Sequence, residues 1–514
     1  MNRWQKFLHL FMAVMLLAGT LGFSALSVAG EPTNVQPVLA QLAAESPEQR
    51  VSVIVQKFGD SDSVEGLVES LGGEVTRDLS IINAFSAEVP AGVVPKLAEE
   101  NGVRWVSLDG PVVTTAKGGN KPPPSDGGSS SSLYPQIFLD TLNVRAVWDM
   151  GIDGDGVAVA IIDSGVIRSS DFKERVNGNS PSRVIVQESF SQNSTSVDDY
   201  YGHGTHVAGI IGSNGKLTGG EASGLAPKVD LISLKISDEQ NFAFESDAVA
   251  AMQWVFDNKD TYNIRVVNLS IASTVPQSYH NSPIDAAAEI LWFNSVVVVT
   301  SAGNYGPDAV NYAPANDPFV ITVGATNELR TTDRSDDFVT DYSAYGMTMD
   351  GFVKPDIIAP GQDVISNLSY LSPWNYEHPN RLEFEGDHLR LSGTSMSAPM
   401  VTGAVALLLQ DEPDLNPDQV KYRLMATGIP IQGSDGDPNT YPYLDVYAAV
   451  TGTTTEMANS DQAASQLLWT GSEPLEWDHV NWNHVNWNHV NWNAVNWDHV
   501  NWNHVNWNSI AWDY

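Results

Sequence analysis

Two spacings of apolar residues alternate along this chain and divide it before any motif is considered. Between about residues 133 and 452 lie runs that are apolar on both faces: "VAVAIID" (157–163), "VDLISLKI" (229–236), "RVVNLSIA" (265–272), "SVVVVTSAGN" (295–304) and "FVITVGAT" (319–326). Between them stand stretches with helical spacing, such as "SDAVAAMQWVF" (246–256) and "IDAAAEILWF" (284–293). A strand apolar on both sides is covered on both sides, so this region predicts an α/β domain, a parallel sheet with helices on both faces. In such sheets functional residues gather at the carboxyl ends of the strands. Asp163 and Asn304 fall there.

Before that domain the period changes. "RVSVIVQKF" (50–58) and "INAFSAEVP" (82–90) alternate in the manner of strands, and "SVEGLVESLG" (63–72) and "VVPKLAEEN" (93–101) have helical spacing. "VRWVSLDGPV" (103–112) is expected to close the sheet. Residues 30–116 therefore predict a separate, small α+β unit. It is followed by "KGGNKPPPSDGGSSSS" (117–132), whose composition cannot bury a core and reads as an exposed linker.

The first 29 residues read as an export signal. Arg3 and Lys6 precede a short apolar core, "LFMAVMLLA" (10–18), and "SVA" (27–29) offers small residues for cleavage before Gly30. No other segment approaches 18 consecutive apolar residues, so the expectation is a secreted, extracellular protein. With 26 basic against 62 acidic residues the formal net charge is −36, which argues against nucleic acid or an anionic membrane as partner. The 514 residues include no cysteine, so disulfides, thiolate metal sites and a cysteine nucleophile are excluded.

The triplet Asp163-Ser164-Gly165 ends an apolar strand, a placement that two unlike peptidase chemistries use. An aspartic pair needs a second such acid to share one proton. The triplet does not recur, which removes that reading. A serine nucleophile needs instead a histidine and a serine in suitable settings. "YGHGTHVAGIIG" (201–212) sets His203 in a glycine-flanked turn that opens a helix. "LSGTSMSAPMVTGAVALLLQ" (391–410) sets Ser395 after a Gly-Thr turn, at the positive end of a long apolar helix.

At these residues the chain resembles the subtilases, the subtilisin-like serine peptidases. All three signatures are present, "AIIDSGV", "GHGTHVAG" and "GTSMSAP", in the order Asp, His, Ser. The resemblance covers roughly 133–452, and residues 30–116 are similar to the family's inhibitory propeptide. It implies a serine endopeptidase acting on protein and peptide substrates, with Ser395 as nucleophile, His203 as general base and Asp163 orienting the imidazole. Asn304 matches the family's oxyanion asparagine. Ser270, Ile271 and Ala272, with Gly303, match the backbone that pairs with substrate as an added strand. Ala272 and Ser273 stand where relatives commonly have glycine, which implies narrower subsites. The resemblance further implies that the chain's own propeptide inhibits it until cut near 112–120. A structural Ca²⁺ is also expected, with Asp171 and Asn214 as ligands, although the loop at 214–224 is longer than the usual one; catalysis itself calls for no cofactor. His206 belongs to the histidine motif rather than to a metal pair. Met396 directly follows the nucleophile, so its oxidation should impair the site. Met400 replaces a histidine common in relatives. His280, His378 and His388 stand alone and read as surface residues.

Residues 453–514 read as a tail in which tryptophan recurs every fifth position from Trp477 to Trp512, in W-N-H-V-N units. A five-residue step advances about 140° around a helix and switches faces in a strand, so neither aligns the indoles. A five-residue solenoid turn and an unstructured chain both fit. Evenly spaced indoles with Asn and His suit attachment to a cell surface or its glycans. The rival to a peptidase is a binding protein that uses such a domain as a scaffold; the complete Asp, His and Ser set and Asn304 argue against it.

Overall fold

The computed structural model describes residues 34–59, 62–114, 136–174, 179–434, 437–460 and 462–468. The expected signal, the linker at 117–132 and the tryptophan repeats lie outside them.

The N-terminal unit runs through helix α1 (Pro37–Glu45), strand β1 (Arg50–Lys57), helix α2 (Ser63–Ser70), strands β2 (Glu74–Leu79) and β3 (Ala84–Pro90), helix α3 (Val94–Ala98) and strand β4 (Val103–Leu108). The strands form an antiparallel sheet in the order β2-β3-β1-β4. Strand periodicity decides what each face does. Val51, Val53 and Val55 of β1, with Phe85, Ala87 and Val89 of β3, are buried in one core with Leu39, Val68 and Leu97 of the helices. Ile54 on the opposite face, with Leu79, Ile82 and Ala84, belongs instead to the core of the larger domain. The unit is thus sandwiched between its own helices and that domain. Strand β2 escapes the sequence pattern because it is mostly polar, with Glu74, Thr76 and Asp78 facing solvent.

The stretch 103–112 closes the sheet only as far as Leu108. After Asp109-Gly110 the chain forms β5 (Pro111–Thr114), which leaves its own unit and pairs with the large domain.

In the large domain the continuous apolar runs become strands β6 (Ala158–Asp163), β7 (Val184–Ser189), β8 (Asp230–Lys235), β9 (Ala243–Phe244), β10 (Ile264–Leu269), β11 (Ile271–Ser273), β12 (Val297–Ser301), β13 (Ile321–Asn327) and β14 (Ile357–Pro360). Two further strands, β15 (Ile429–Gln432) and β16 (Thr440–Tyr443), form a hairpin at one edge. The main sheet reads β15-β16-β14-β13-β12-β10-β6-β8-β7 and is parallel from β16 to β7. Every residue of β6 and of β12 is buried, as strands covered on both faces require.

Helices α4 (His203–Gly212), α5 (Glu245–Tyr262), α6 (Pro283–Phe293), α7 (Thr394–Asp411) and α8 (Pro417–Thr427) pack on the sheet. Helix α7 is buried from Thr394 to Leu409, which explains a sequence with no polar face. The folded body extends past residue 452, where the sequence pattern ended it. Arg423 Nε donates to Thr454 O at 2.7 Å, Asn459 Nδ2 donates to Asp418 Oδ1 at 2.7 Å, and Leu467 is buried.

Candidate active site

Asp163 ends β6 and Ser270 follows β10, its neighbour, so both lie at the carboxyl edge of the sheet. His203 is the first residue of α4, and Gly202 before it turns the chain at φ +104°. His203 Nδ1 lies 2.8 Å from Asp163 Oδ1 and 2.9 Å from Oδ2, with both side chains buried. The carboxylate selects the tautomer with hydrogen on Nδ1 and leaves Nε2 as the base. Asp163 Oδ1 is further fixed by the Ser164 N–H at 2.7 Å.

This approach of turn to helix demands glycine. A Cβ on Gly204 would stand 2.1 Å from Gly165 O and 3.1 Å from Asp163 Oδ1. A residue outside the expected set holds the junction. Buried Asp199 accepts hydrogen bonds from Gly202 N at 2.7 Å, Thr205 N at 2.9 Å, Thr205 Oγ1 at 2.6 Å and Ser164 Oγ at 2.9 Å. It accepts from the first-turn Thr205 N–H of α4 and ties the Asp163 turn to the helix that carries His203. An acid four residues before the histidine and just ahead of a helix was the available signal.

Ser395 is the second residue of α7, after Gly393 at φ +147°. Pro399 lies four residues on and has no N–H to give the Ser395 carbonyl. That carbonyl instead accepts from Ser270 Oγ at 3.2 Å, and Ser395 Oγ donates to Ser270 O at 3.4 Å. The nucleophile candidate is thereby pinned to the end of β10. Asn268 Nδ2 donates to Ser270 Oγ at 2.9 Å, and Thr402 Oγ1 donates to Asn268 Oδ1 at 2.9 Å, so α7 and β10 share one buried chain of polar groups. Among the described residues His203 Nε2 has no hydrogen-bond partner in this arrangement.

Asn304 follows β12. Its Oδ1 accepts from Thr394 N at 2.9 Å and from Thr394 Oγ1 at 3.1 Å, while Gly303 N donates to that same Oγ1 at 3.1 Å. With the amide oxygen so held, Nδ2 is the end of the side chain that can serve a ligand. Thr394, unremarked in the sequence, is the residue that orients it.

Ile271, Ala272 and Ser273 form β11 and are already paired. Strand β5 lies antiparallel between β11 and β9, with Thr114 opposite Ile271, Val113 opposite Ala272 and Val112 opposite Ser273 on one side. Pro111 and Val112 face Phe244 and Ala243 on the other. The N-terminal unit seats this strand through buried polar contacts. Asp109 Oδ1 accepts from Ser246 N at 2.8 Å and its Oδ2 from Ser246 Oγ at 2.7 Å, at the N-terminus of α5. Arg77 Nη1 lies 3.1 Å from Asp247 Oδ1, and Gly110 O accepts from Glu245 N at 2.9 Å. Three carboxyl groups meet here, and burial pushes all three up: Asp109 above its ordinary range, Asp247 to about 7 despite Arg77, and Glu245 to about 8.

The expected calcium ligands meet but do not fit a calcium ion. Asn214 N donates to Asp171 O at 2.9 Å, so the two residues are adjacent. Asp171 Oδ1, however, accepts from Leu217 N at 2.7 Å, and its Oδ2 accepts from Asn367 Nδ2 at 2.7 Å and lies 3.4 Å from His388 Nε2. Asn214 Oδ1 accepts from Lys216 N at 3.1 Å. Oxygens that would face a cation face N–H groups instead. Among the described residues no group of three or more His, Cys, Asp or Glu is arranged to hold a metal. Burial alone would raise the Asp171 pKa, but hydrogen bonds from His388, Leu217 and Asn367 together hold it below its ordinary value.

His388 is thus no surface residue; it is fully buried in the strand 388–391, where its partner is more than two hundred positions away in the sequence. His280 and His378 are half-buried. His206 donates from Nε2 to Leu389 O at 2.9 Å, and burial pushes its pKa down to about 3, so it is a neutral core residue. Met396 and Met400 are fully buried in α7.

A model of the subtilase family, Peptidase_S8, matches residues 154–462. The chain belongs to the subtilase family. Serine protease AprX of Bacillus subtilis (strain 168) is 34% identical over 299 residues, which cover 56% of this chain and 64% of that relative. A thermostable alkaline protease of Halalkalibacterium halodurans is 26% identical over 403 residues, covering 78% of this chain and 92% of its own length. Among solved structures, fervidolysin of Fervidobacterium pennivorans, a keratinolytic enzyme related to subtilisin, superposes with a TM-score of 0.59 at 24% identity. That match covers 79% of this chain and 61% of fervidolysin and speaks for the fold. The chain thus spans less than two thirds of the length of AprX and of fervidolysin.

Proposed function

We propose that this protein is an exported serine endopeptidase that hydrolyses peptide bonds through Asp163, His203 and Ser395 and is made as an inhibited precursor. The observation that carries the reading is the buried Asp163–His203 pair at the head of α4, a helix packed against α7, whose first turn bears Ser395. Ser395 Oγ attacks the peptide carbonyl carbon while His203 Nε2 takes its proton, and Asp163 stabilises the imidazolium that results. The negative oxygen of the tetrahedral intermediate takes hydrogen bonds from Asn304 Nδ2 and from the Ser395 N–H, a first-turn donor outside the helix ladder. Collapse expels the amine, which takes the proton from His203. Water then repeats the sequence on the acyl-enzyme and restores Ser395.

Substrate lies where β5 now lies, as an extended strand paired to Ile271–Ser273. Because β5 belongs to the N-terminal unit, that unit blocks the cleft until the chain is cut after Thr114 and the unit leaves. Both the occupied cleft and the capping of α5 by Asp109 support its role as inhibitor. Export rests on the apolar N-terminal sequence, and no helix among the described residues is long and apolar enough to cross a membrane. Attachment to cell-surface glycans through the tryptophan repeats remains part of the proposal and is read from their sequence alone.

A serine-directed phosphonate should label the matured protein on Ser395, and Ser395→Ala should abolish both label and casein hydrolysis. Undiminished labelling of Ser395→Ala, or matured protein inert toward casein, would overturn the reading.

A further inference from the structure

The segment that closes the described chain, residues 462–468, touches two partners with its two sides. On one side it is tied to the large domain. Ser465 N donates to Glu289 Oε2 of α6 at 2.7 Å, Ser465 Oγ donates to His280 O at 3.0 Å, and Tyr279 OH donates to Ala463 O at 2.8 Å. On the other side its carbonyls face the N-terminal unit. Arg104 of β4 donates from Nη2 to Gln466 O at 2.6 Å and from Nη1 to Leu467 O at 2.8 Å. Gln56 of β1, itself buried, donates from Nε2 both to Leu467 O at 2.7 Å and to Ile82 O at 2.8 Å. The Leu467 side chain is 4% exposed and belongs to the same apolar core as Ile54, Leu79, Ile82 and Ala84 of that unit.

We infer that residues 462–468 form a strap that, together with the large domain, makes the docking surface of the N-terminal unit and so sets how long the unit stays bound after the chain is cut. A planar guanidinium that spans two successive carbonyls is a geometrically specific contact, and its donors are charged. When the unit leaves, the Leu467 carbonyl loses one buried and one half-buried donor and Leu467 loses part of its cover. Neither loss arises if the strap is absent. The chain's own C-terminal portion therefore slows the release of its own N-terminal portion. This rests on the proposed inhibitory role of the unit, which it deepens by naming a second holding point far from the cleft.

Arg104 and Gln56 leave with the unit, so substituting them alters the precursor and leaves the mature enzyme unchanged in sequence. The test follows the full chain during maturation, reading the lag before casein hydrolysis appears and the co-elution of the cut N-terminal fragment with the large domain. Arg104→Ala should shorten the lag by about tenfold or more and abolish co-elution, an effect sized by losing a charged donor to two carbonyls. A chain ended after residue 470 should behave as the full chain. A chain ended after residue 461 should behave as Arg104→Ala, and combining the two changes should add nothing. An unchanged lag and co-elution in Arg104→Ala would overturn the inference. So would equal effects of Arg104→Ala with and without the strap, which would mark a mere loss of stability in the unit. Full hydrolytic activity while the uncut unit is still attached would instead defeat the inhibitory reading, and co-elution would still judge the strap.

Discussion

Among the described residues two aspartate–histidine pairs are buried, and their geometries differ. Asp163 and His203 face one another squarely, with Nδ1 within 2.9 Å of both carboxylate oxygens. Asp171 and His388 meet at one oxygen only, at 3.4 Å, while backbone and amide donors fill the rest of the carboxylate. The first pair sits at the carboxyl edge of the parallel sheet, at the head of α4. The second joins the 388–391 strand to the loop around Asp171. Burial beside a carboxylate does not make a histidine a base. On the proposed function, what sets His203 apart is that its second nitrogen stands at an edge where a substrate can arrive.

Asp163→Asn should expose this contrast most strongly. It leaves His203 without the acceptor that selects its tautomer and should lower kcat by about 10⁴-fold with folding intact. Asp171→Asn should do the reverse, keeping kcat within a few-fold while destabilising the fold by about 2 kcal/mol in urea titration, because an amide cannot accept from both Leu217 N and Asn367 Nδ2 in a buried site. A large loss of kcat in folded Asp171→Asn would erase the distinction.

Asn304→Ala should cost about 10²- to 10³-fold in kcat with little change in KM, the signature of a donor that acts in the transition state. A KM effect alone would reassign Asn304 to substrate binding.

The smallest effect concerns the carboxyl groups between the N-terminal unit and α5. Glu245 and Asp247 have raised pKa values in the folded precursor, so the neutral acids favour that state. Their contribution is complete below the ordinary carboxylate range and is lost as pH rises through about 7 and about 8. The precursor's Tm should therefore fall by several degrees between about pH 5 and about pH 9, and Glu245→Gln should flatten that decline. A decline of equal steepness in Glu245→Gln would remove Glu245 as its source.

What could be read from the sequence follows from how local each constraint is. Asp163, His203, Ser395 and Asn304 lie in short segments whose glycines are forced by close approach, as the 2.1 Å clash at Gly204 illustrates. Strands apolar on both faces announced the sheet. Other features depend on partners far along the chain. His388 meets an aspartate in another segment, Arg104 meets the carbonyls of residues 466 and 467, and β5 abandons its own sheet after Asp109-Gly110. Strand β2 was hidden because half of it faces water. The N–H donors that occupy the Asp171 carboxylate, and so argue against calcium there, are revealed by no spacing.

Strands β9 and β11 stand one chain-width apart, with β5 as the filling. A gap of that width bordered by two rows of peptide groups admits a single extended polypeptide and rejects a helix or an intact hairpin. On the proposed function, a compact target would have to surrender several residues of its native structure before being cut. Digestion rates across a panel of proteins should accordingly rank by how often each loosens locally, more than by which side chains it displays.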